Sequence, residues 1–253
     1  MLFLLNIQIC RGGETLNFSL HPLGDQAVMI QLGEEISPAI QREVSLIASL
    51  LDENTEDWMI EYVPAFTTLT LYYDPFKVMQ APWNSYPLPY PAVCSRLNTL
   101  LDHAHQDSGM AQRTVTIPVC YGGELGPDLQ FVADHNGLTA EDVIRIHSTG
   151  DYDVHMIGFA PGFPYIGGMP ETIAAPRRKS PRLKIPPRSV GIAGKQTGVY
   201  PIETPGGWQL IGRTPLNLFL PNEDPPTLLR AGDKIQFKSI SLQEYIALGG
   251  DAE

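Results

Sequence analysis

Between Pro181 and Ser189 the chain reads Pro181-Arg182-Leu183-Lys184-Ile185-Pro186-Pro187-Arg188-Ser189. Side chains of an extended strand alternate between faces, so Arg182 and Lys184 share one face and Leu183 and Ile185 the other. Two cations facing one way, held by flanking prolines just before a glycine-rich turn, suit a phosphoryl or carboxylate group. Arginine does this best, because its planar fork binds such groups with two prongs. The same pattern also serves as solvated surface charge. From 176 to 213 the chain holds eight bases (Arg177, Arg178, Lys179, Arg182, Lys184, Arg188, Lys195, Arg213) and one acid, Glu203, a local balance of +7. The remainder carries nine bases and twenty-seven acids, or −18, within a total of −11. A cationic island in an acidic protein points to an anionic ligand or to an acidic partner surface. The overall acidity argues against bulk nucleic-acid binding, which needs a basic footprint, and against adhesion to an anionic membrane.

Three further segments carry candidate chemistry. The loop Gly158-Phe-Ala-Pro-Gly-Phe-Pro-Tyr-Ile-Gly-Gly168 has glycines and prolines that fix a special backbone. Its aromatics Phe159, Phe163 and Tyr165 either wall an apolar pocket or pack as a structural loop. The segment Gly191-Ile-Ala-Gly-Lys195-Gln196-Thr-Gly198 superficially resembles a phosphate loop. It fails the test, because Ser189 stands where the first glycine belongs and Gln196 where a hydroxyl must hold magnesium. His147, with Asp151, Asp153 and His155 nearby, offers either an acid–base pair or structural hydrogen bonds. No G-x-S-x-G elbow and no Cys–His signature supports an acyl-enzyme. Cys10, Cys94 and Cys120 lie far apart without a C-x-x-C, which fits reduced thiols in a cytoplasmic protein and no zinc site.

The elements that must position these residues follow two grammars within 253 residues. Residues 1–16 are apolar and read as an extension or start-site artefact, with a short strand or a membrane-associated tail as alternatives. From 17 to 108 the periodicity predicts strand, helix, two strands and a final helix, a small α+β sandwich. Ser37-Pro38 opens the first helix and Ile40, Val44, Ile47, Ala48 and Leu51 recur at helical spacing. The proline-rich stretch 74–91 reads as an irregular connector. From 109 to 253 come a strand over 113–119, two short helices, and then short apolar runs punctuated by Gly and Pro. The runs 154–159, 190–193, 209–211, 216–220 and 234–238 predict a β-barrel or sandwich with long loops.

A longer pattern joins these segments: His147-Ser, Gly158-Phe-x-Pro-Gly-Phe-Pro-Tyr165, Pro176-Arg177, Pro181-Arg182, Ser189-Val-Gly-Ile192, Gln196-Thr-Gly-x-Tyr200-Pro and Pro205-Gly-Gly-Trp208-Gln-Leu-Ile-Gly-Arg-Thr214. It extends upstream to Ile117-Pro-Val-Cys-Tyr-Gly-Gly and Gly126-Pro-Asp-Leu129. Together these residues resemble the family of B-type 5-oxoprolinase subunits, also labelled allophanate hydrolase subunit 1, which includes the sporulation kinase A inhibitor. The chain departs from the pattern at Pro187-Arg188 and Lys195, each of which adds charge to the island.

The resemblance implies an α+β protein whose small N-terminal sandwich precedes a C-terminal cyclophilin-like β-barrel. It implies a subunit, inactive alone, of a complex that converts 5-oxo-L-proline, ATP and water into L-glutamate, ADP and phosphate. The companions would be a second cyclophilin-like subunit of the C type and a lactamase subunit of the A type. ATP with Mg2+ would be a substrate of the complex, and no prosthetic group is expected. Two other readings are a regulatory protein that inhibits a sensor histidine kinase, and a carboxyltransferase-type partner of a urea-carboxylase-like system. Within the oxoprolinase reading, phosphorylation of the lactam oxygen would turn a poor electrophile into one that water can attack, a step that depends on positioning and charge neutralisation. Arg177, Arg182 and Lys184 are then candidates for holding the substrate carboxylate or nucleotide phosphates. Ser189, Gln196 and Tyr200 would supply neutral hydrogen bonds, Phe163 and Tyr165 an aromatic wall, and His147 a proton shuttle or an anchor. Magnesium needs carboxylates, and the island offers only Glu203, so the metal ligands are expected on a companion subunit.

Overall fold

The computed structural model describes residues 5–11, 14–35, 37–103 and 113–251. The chain divides into two compact units, Met1–Ala111 and Gln112–Glu253.

In the first unit, β1 (Leu5–Arg11), β2 (Glu14–Pro22), β3 (Ala27–Gln31), β4 (Met59–Pro64) and β5 (Thr68–Tyr73) form one antiparallel sheet in the order β1-β2-β3-β5-β4. Part of the stretch expected as an extension is thus a sheet strand. Helix α1 (Pro38–Glu53) starts where Ser37 caps it, its hydroxyl accepting from Ile40 N. Its stripe of Val44, Ile47, Ala48 and Leu51 belongs to one core with Val28 and Ile30 of β3 and Leu69, Leu71 and Tyr73 of β5. The stretch 74–91 is more regular than its prolines suggested. Asp74 caps a short helix α2 (Pro75–Gln80) by accepting from Phe76 N and Lys77 N. Proline at a first helical position lacks an N–H the helix would leave unpaired anyway, so here it starts a helix instead of breaking one. Helix α3 (Pro89–His103) likewise opens on prolines and adds Val93, Leu97 and Leu101 to the core.

In the second unit, β6 (Thr114–Tyr121) leads to α4 (Leu129–Asn136) and α5 (Ala140–Ser148). A reciprocal capping box between Thr139 and Asp142 begins α5. Then follow β7 (Tyr152–Ile157), β8 (Pro164–Gly167), β9 (Arg182–Ile185), β10 (Ser189–Ala193), β11 (Gln196–Val199), β12 (Thr204–Gly206), β13 (Gln209–Arg213), β14 (Lys234–Ser239) and α6 (Leu242–Ala247). Seven strands close a barrel in the order β10-β11-β8-β7-β14-β6-β13, and β9 pairs with β12 in a separate ribbon. Only β14 and β6 run parallel among the described barrel pairs. Ile117, Val119, Val154, Ile166, Val190, Ile192, Val199, Ile211, Ile235 and Phe237 form much of its core.

The segment with a superficial likeness to a phosphate loop is the β10–β11 hairpin, in which Ala193 faces Gln196 across a two-residue turn. Gly194 occupies the first turn position at φ 59°, the left-handed value such a turn demands. One expectation is corrected: the apolar run 216–220 forms no strand. Phe219 makes an isolated bridge to Thr227, and Pro215, Pro221, Pro225 and Pro226 around it withhold the N–H donors a ladder needs.

Candidate functional site

Five aromatic side chains meet where the β7–β8 loop, β11 and β13 come together. Phe163 stands at the centre. Its ring meets Phe159, Tyr165, Tyr200 and Trp208 edge-on, at centroid separations of 5.5, 5.5, 5.6 and 5.9 Å. Tyr200 and Trp208 also meet edge-on at 6.1 Å. Positive ring edges against negative faces favour this arrangement. Ile185 and Leu210 complete the cluster. A Cβ at Gly206 would lie 2.7 Å from both the Tyr200 hydroxyl oxygen and Ile185 Cδ1, so a side chain there would push one or both of those tips aside.

Around the cluster the cations are sorted by one carboxylate. Asp128, buried just before α4, accepts Arg182 as a fork, Nη1 to Oδ2 at 2.8 Å and Nη2 to Oδ1 at 2.9 Å. It also accepts Arg178 Nη1 at 3.1 Å and the backbone N–H of Leu210 at 2.7 Å. Asp128 thereby ties the arginine segment to β13. Lys184 is exposed and pairs with Glu203 at 3.0 Å. The two-cation clamp expected on one face of β9 is therefore not formed, because Arg182 and Lys184 each answer to a carboxylate of their own. Arg177 is exposed and has no ion pair or hydrogen bond among the described residues. Burial pushes the Tyr200 phenol up to about 12, while the positive fields of Arg177 and Arg182 pull it down. The phenol is thus a neutral donor, and both guanidinium charges act at its position.

His147 lies elsewhere, wholly buried in the barrel core. Its Nδ1 is 2.8 Å from the Tyr121 hydroxyl and its Nε2 is 2.8 Å from Thr197 Oγ1. Thr197 Oγ1 donates to the carbonyl of Gly191 at 3.1 Å. One proton arrangement satisfies every group: Tyr121 O–H donates to Nδ1, and Nε2–H donates to the threonine oxygen. The ring packs on Phe237 at a centroid distance of 4.5 Å. Burial lowers its pKa to about 3, so the imidazole is neutral. Of the two roles expected for His147, proton shuttle or anchor, this geometry fits the anchor, since both nitrogens are engaged and the ring is wholly buried.

The other expected residues are dispersed. Phe163 and Tyr200 are buried in the aromatic cluster and Tyr165 half-buried at its edge. Gln196 is exposed at the β10–β11 turn. Ser189 is buried, and its hydroxyl has no hydrogen-bond partner among the described residues, although its carbonyl accepts from Tyr200 N at 2.9 Å. Sequence reasoning missed Asp128 and Trp208 as organisers. Asp128 does stand in the motif Gly126-Pro-Asp-Leu129, but fifty residues separate it from Arg178. Only the closed barrel brings them together.

Residues 18–229 match the family model described as carboxyltransferase domain, subdomain C and D. The chain is 51% identical to the B-type 5-oxoprolinase subunit of Bacillus subtilis (strain 168), over 92% of this chain and 97% of that one. It is 40% identical to the corresponding B-type 5-oxoprolinase subunit of Escherichia coli O157:H7, over 85% and 93% of the two chains. Among solved structures it is similar to the protein TTHA0988, with a TM-score of 0.71 at 32% identity, over 85% of this chain and 40% of that one. An expected pattern of loops, a closed barrel and near-full-length identity thus converge, and the chain belongs to the family of B-type 5-oxoprolinase subunits, built on carboxyltransferase subdomains C and D.

Proposed function

We propose that this chain is the B-type subunit of an ATP-dependent 5-oxoprolinase that converts 5-oxo-L-proline, ATP and water into L-glutamate, ADP and phosphate. The observation that carries this reading is the 51% identity to a B-type 5-oxoprolinase subunit over almost the whole of both chains. The barrel would be of the cyclophilin-like kind, and the companions a C-type cyclophilin-like subunit and an A-type lactamase subunit, all in the cytoplasm. No helix of the described residues is long and apolar enough to cross a membrane.

The site supports a binding share of this reaction. Arg177, which has no carboxylate partner among the described residues, would hold an anionic group of a substrate beside the aromatic cluster. Arg182, fixed by Asp128, would add positive field without being consumed as a ligand, which is the preorganisation that stabilises developing negative charge. Phe163 and Tyr165 supply the apolar wall and Tyr200 a neutral hydrogen-bond donor. Lys184, Ser189 and Gln196 would take peripheral places, and His147 would keep the barrel wall in register. Among the described residues no three His, Cys, Asp or Glu side chains gather to hold a metal. Mg2+ would enter with ATP, its ligands on a companion subunit.

The test is co-expression of the chain with C-type and A-type companions, co-purification, and an assay of glutamate release from 5-oxo-L-proline with and without ATP. Activity is expected only from the assembled complex with ATP. A complex that assembles and releases no glutamate would overturn the reading.

A further inference from the structure

The ribbon of β9 and β12 holds an irregularity that decides which of its side chains reach solvent. Thr204 faces Ile185 and Gly206 faces Arg182, so two residues of β9, Leu183 and Lys184, stand opposite Pro205 alone. That is a β-bulge, a device that re-aims side chains. In a regular strand Leu183 and Ile185 would share a face, and so would Arg182 and Lys184. The bulge regroups them. Arg182 turns inward to Asp128 and Ile185 is fully buried in the aromatic cluster, while Leu183 and Lys184 turn outward. Across the ribbon the Thr204 hydroxyl is buried, and a Cβ on Gly206 would meet Ile185. Both of these residues thus face the body, and Pro205 between them is exposed. Leu183 is 89% exposed, the highest value of any large hydrophobic side chain among the described residues. A leucine scattered on a surface needs no explanation. This one is aimed, by a bulge that buries its strand neighbour and not itself.

The surroundings say what would cover it. Arg178 N donates to the carbonyl of Gly207 at 2.7 Å, which fixes the 177–179 stretch beside the end of β12. Arg177, Lys179 and Lys184 are exposed there, against one exposed acid of the ribbon, Glu203. Lys184 is paired with Glu203, so on this stretch Arg177 and Lys179 have no carboxylate partner among the described residues. The result is an apolar tip flanked by uncancelled positive charge. Small-molecule sites are concave, and a side chain this exposed does not line one. The total charge of −11 disfavours nucleic acid and an anionic membrane. A protein surface fits: an apolar cleft to bury Leu183, rimmed by Asp and Glu. A second copy of this chain meeting the ribbon about a two-fold axis would set its cations against themselves. Pro181, Pro186 and Pro187 bracket the four residues of β9, so a strand added at its edge would be very short and recognition falls to the side chains.

We propose that the bulged ribbon is a docking knob, with Leu183 entering an apolar, carboxylate-rimmed cleft on a companion subunit and Lys179 meeting the rim. The inference rests on the oxoprolinase reading, which supplies the companions, and deepens it by naming the surface they meet. The test uses the full chain with purified C-type and A-type companions. Affinity for each is measured by calorimetry at two salt concentrations, self-association by sedimentation, and glutamate release at saturating companion. Leu183→Ser is expected to raise the Kd for one companion about tenfold or more, the scale of a buried leucine. Its melting temperature should match wild type, because the side chain is exposed in the free chain. Leu183→Met refills the cleft and should stay within about threefold. Lys179→Glu should also weaken binding and flatten its dependence on salt. Saturating companion should restore glutamate release by Leu183→Ser to near the wild-type rate, since the side chain docks and does not react. Wild-type affinity in Leu183→Ser, or a change confined to self-association, overturns the docking assignment and leaves the oxoprolinase reading to its own assay. Leu183-dependent assembly without glutamate release keeps the knob and overturns that reading. A wild-type chain that binds neither companion overturns both.

Discussion

His147 and Tyr200 are both aromatic, titratable and almost wholly buried in the same barrel unit, yet their surroundings have opposite character. Around His147 every nitrogen and hydroxyl has a partner, the ring lies against Phe237, and burial alone sets its protonation. Tyr200 shares Phe163 with an exposed strained phenylalanine, feels the field of an exposed Arg177, and bonds through its backbone to Ser189, whose buried hydroxyl, like the Arg177 side chain, has no partner among the described residues. A satisfied polar network specifies structure. Unsatisfied and strained groups cost stability and persist where something else is gained, so the second region is the better place to look for a ligand.

The contrast can be broken most directly at His147. Replacement by Ala leaves the Tyr121 and Thr197 hydroxyls facing a cavity, and should cost about 4 kcal/mol in denaturant unfolding. A cost under about 1 kcal/mol would mean the network is not structural. The same residue gives a pH signature. Its folded pKa lies near 3, below the ordinary 6.5, so the unfolded chain binds the proton more readily. The stability contribution is complete above pH 6.5 and drains away as pH falls from there toward 3. A His147→Gln variant should show a flatter acid limb over that window, and an unchanged limb would assign the effect to other groups.

Asp128 is the next test, because it joins the two regions' logic: a buried acid that is satisfied so that cations can be placed. Asp128→Ala strands Arg178, Arg182 and the Leu210 N–H and should destabilise by about 3 kcal/mol. It should also weaken 5-oxo-L-proline binding, since the arginine segment loses its tie to β13. Intact affinity in a destabilised variant would show that Arg182 placement does not matter to the ligand. The smallest effect is expected at Ser189. Removing its unpartnered hydroxyl, as in Ser189→Ala, should change stability by less than about 1 kcal/mol, in either direction. A larger loss would reveal a hydrogen bond made in the working complex.

These tests also mark what the linear chain disclosed. Helix α1 was legible because Ser37-Pro38 and the stripe from Ile40 to Leu51 are local signals. The barrel was legible as a class, since Gly and Pro punctuate short apolar runs. The cationic island and the aromatic loop were legible by composition, and the resemblance named their family. Pairing was hidden. Nothing between Arg182 and Lys184 says that one answers to Asp128 and the other to Glu203, because that depends on where distant strands close. The burial of His147 was hidden for the same reason: a histidine at the end of a helix looks alike whether it faces a ligand or a core. The proline-rich stretch misled because proline both starts and breaks helices, and only the cap at Asp74 decides which.

Strand β14 carries a last consequence, for the timing of assembly. It lies between β6 and β7, with Lys234 opposite both Thr114 and Asp153. The strand that closes the cylinder is thus the last of the barrel strands to leave the ribosome, long after the two it joins. Until it arrives, β6 and β7 present open edges, the kind of surface on which chains pair wrongly. Closing so long a loop is also slow.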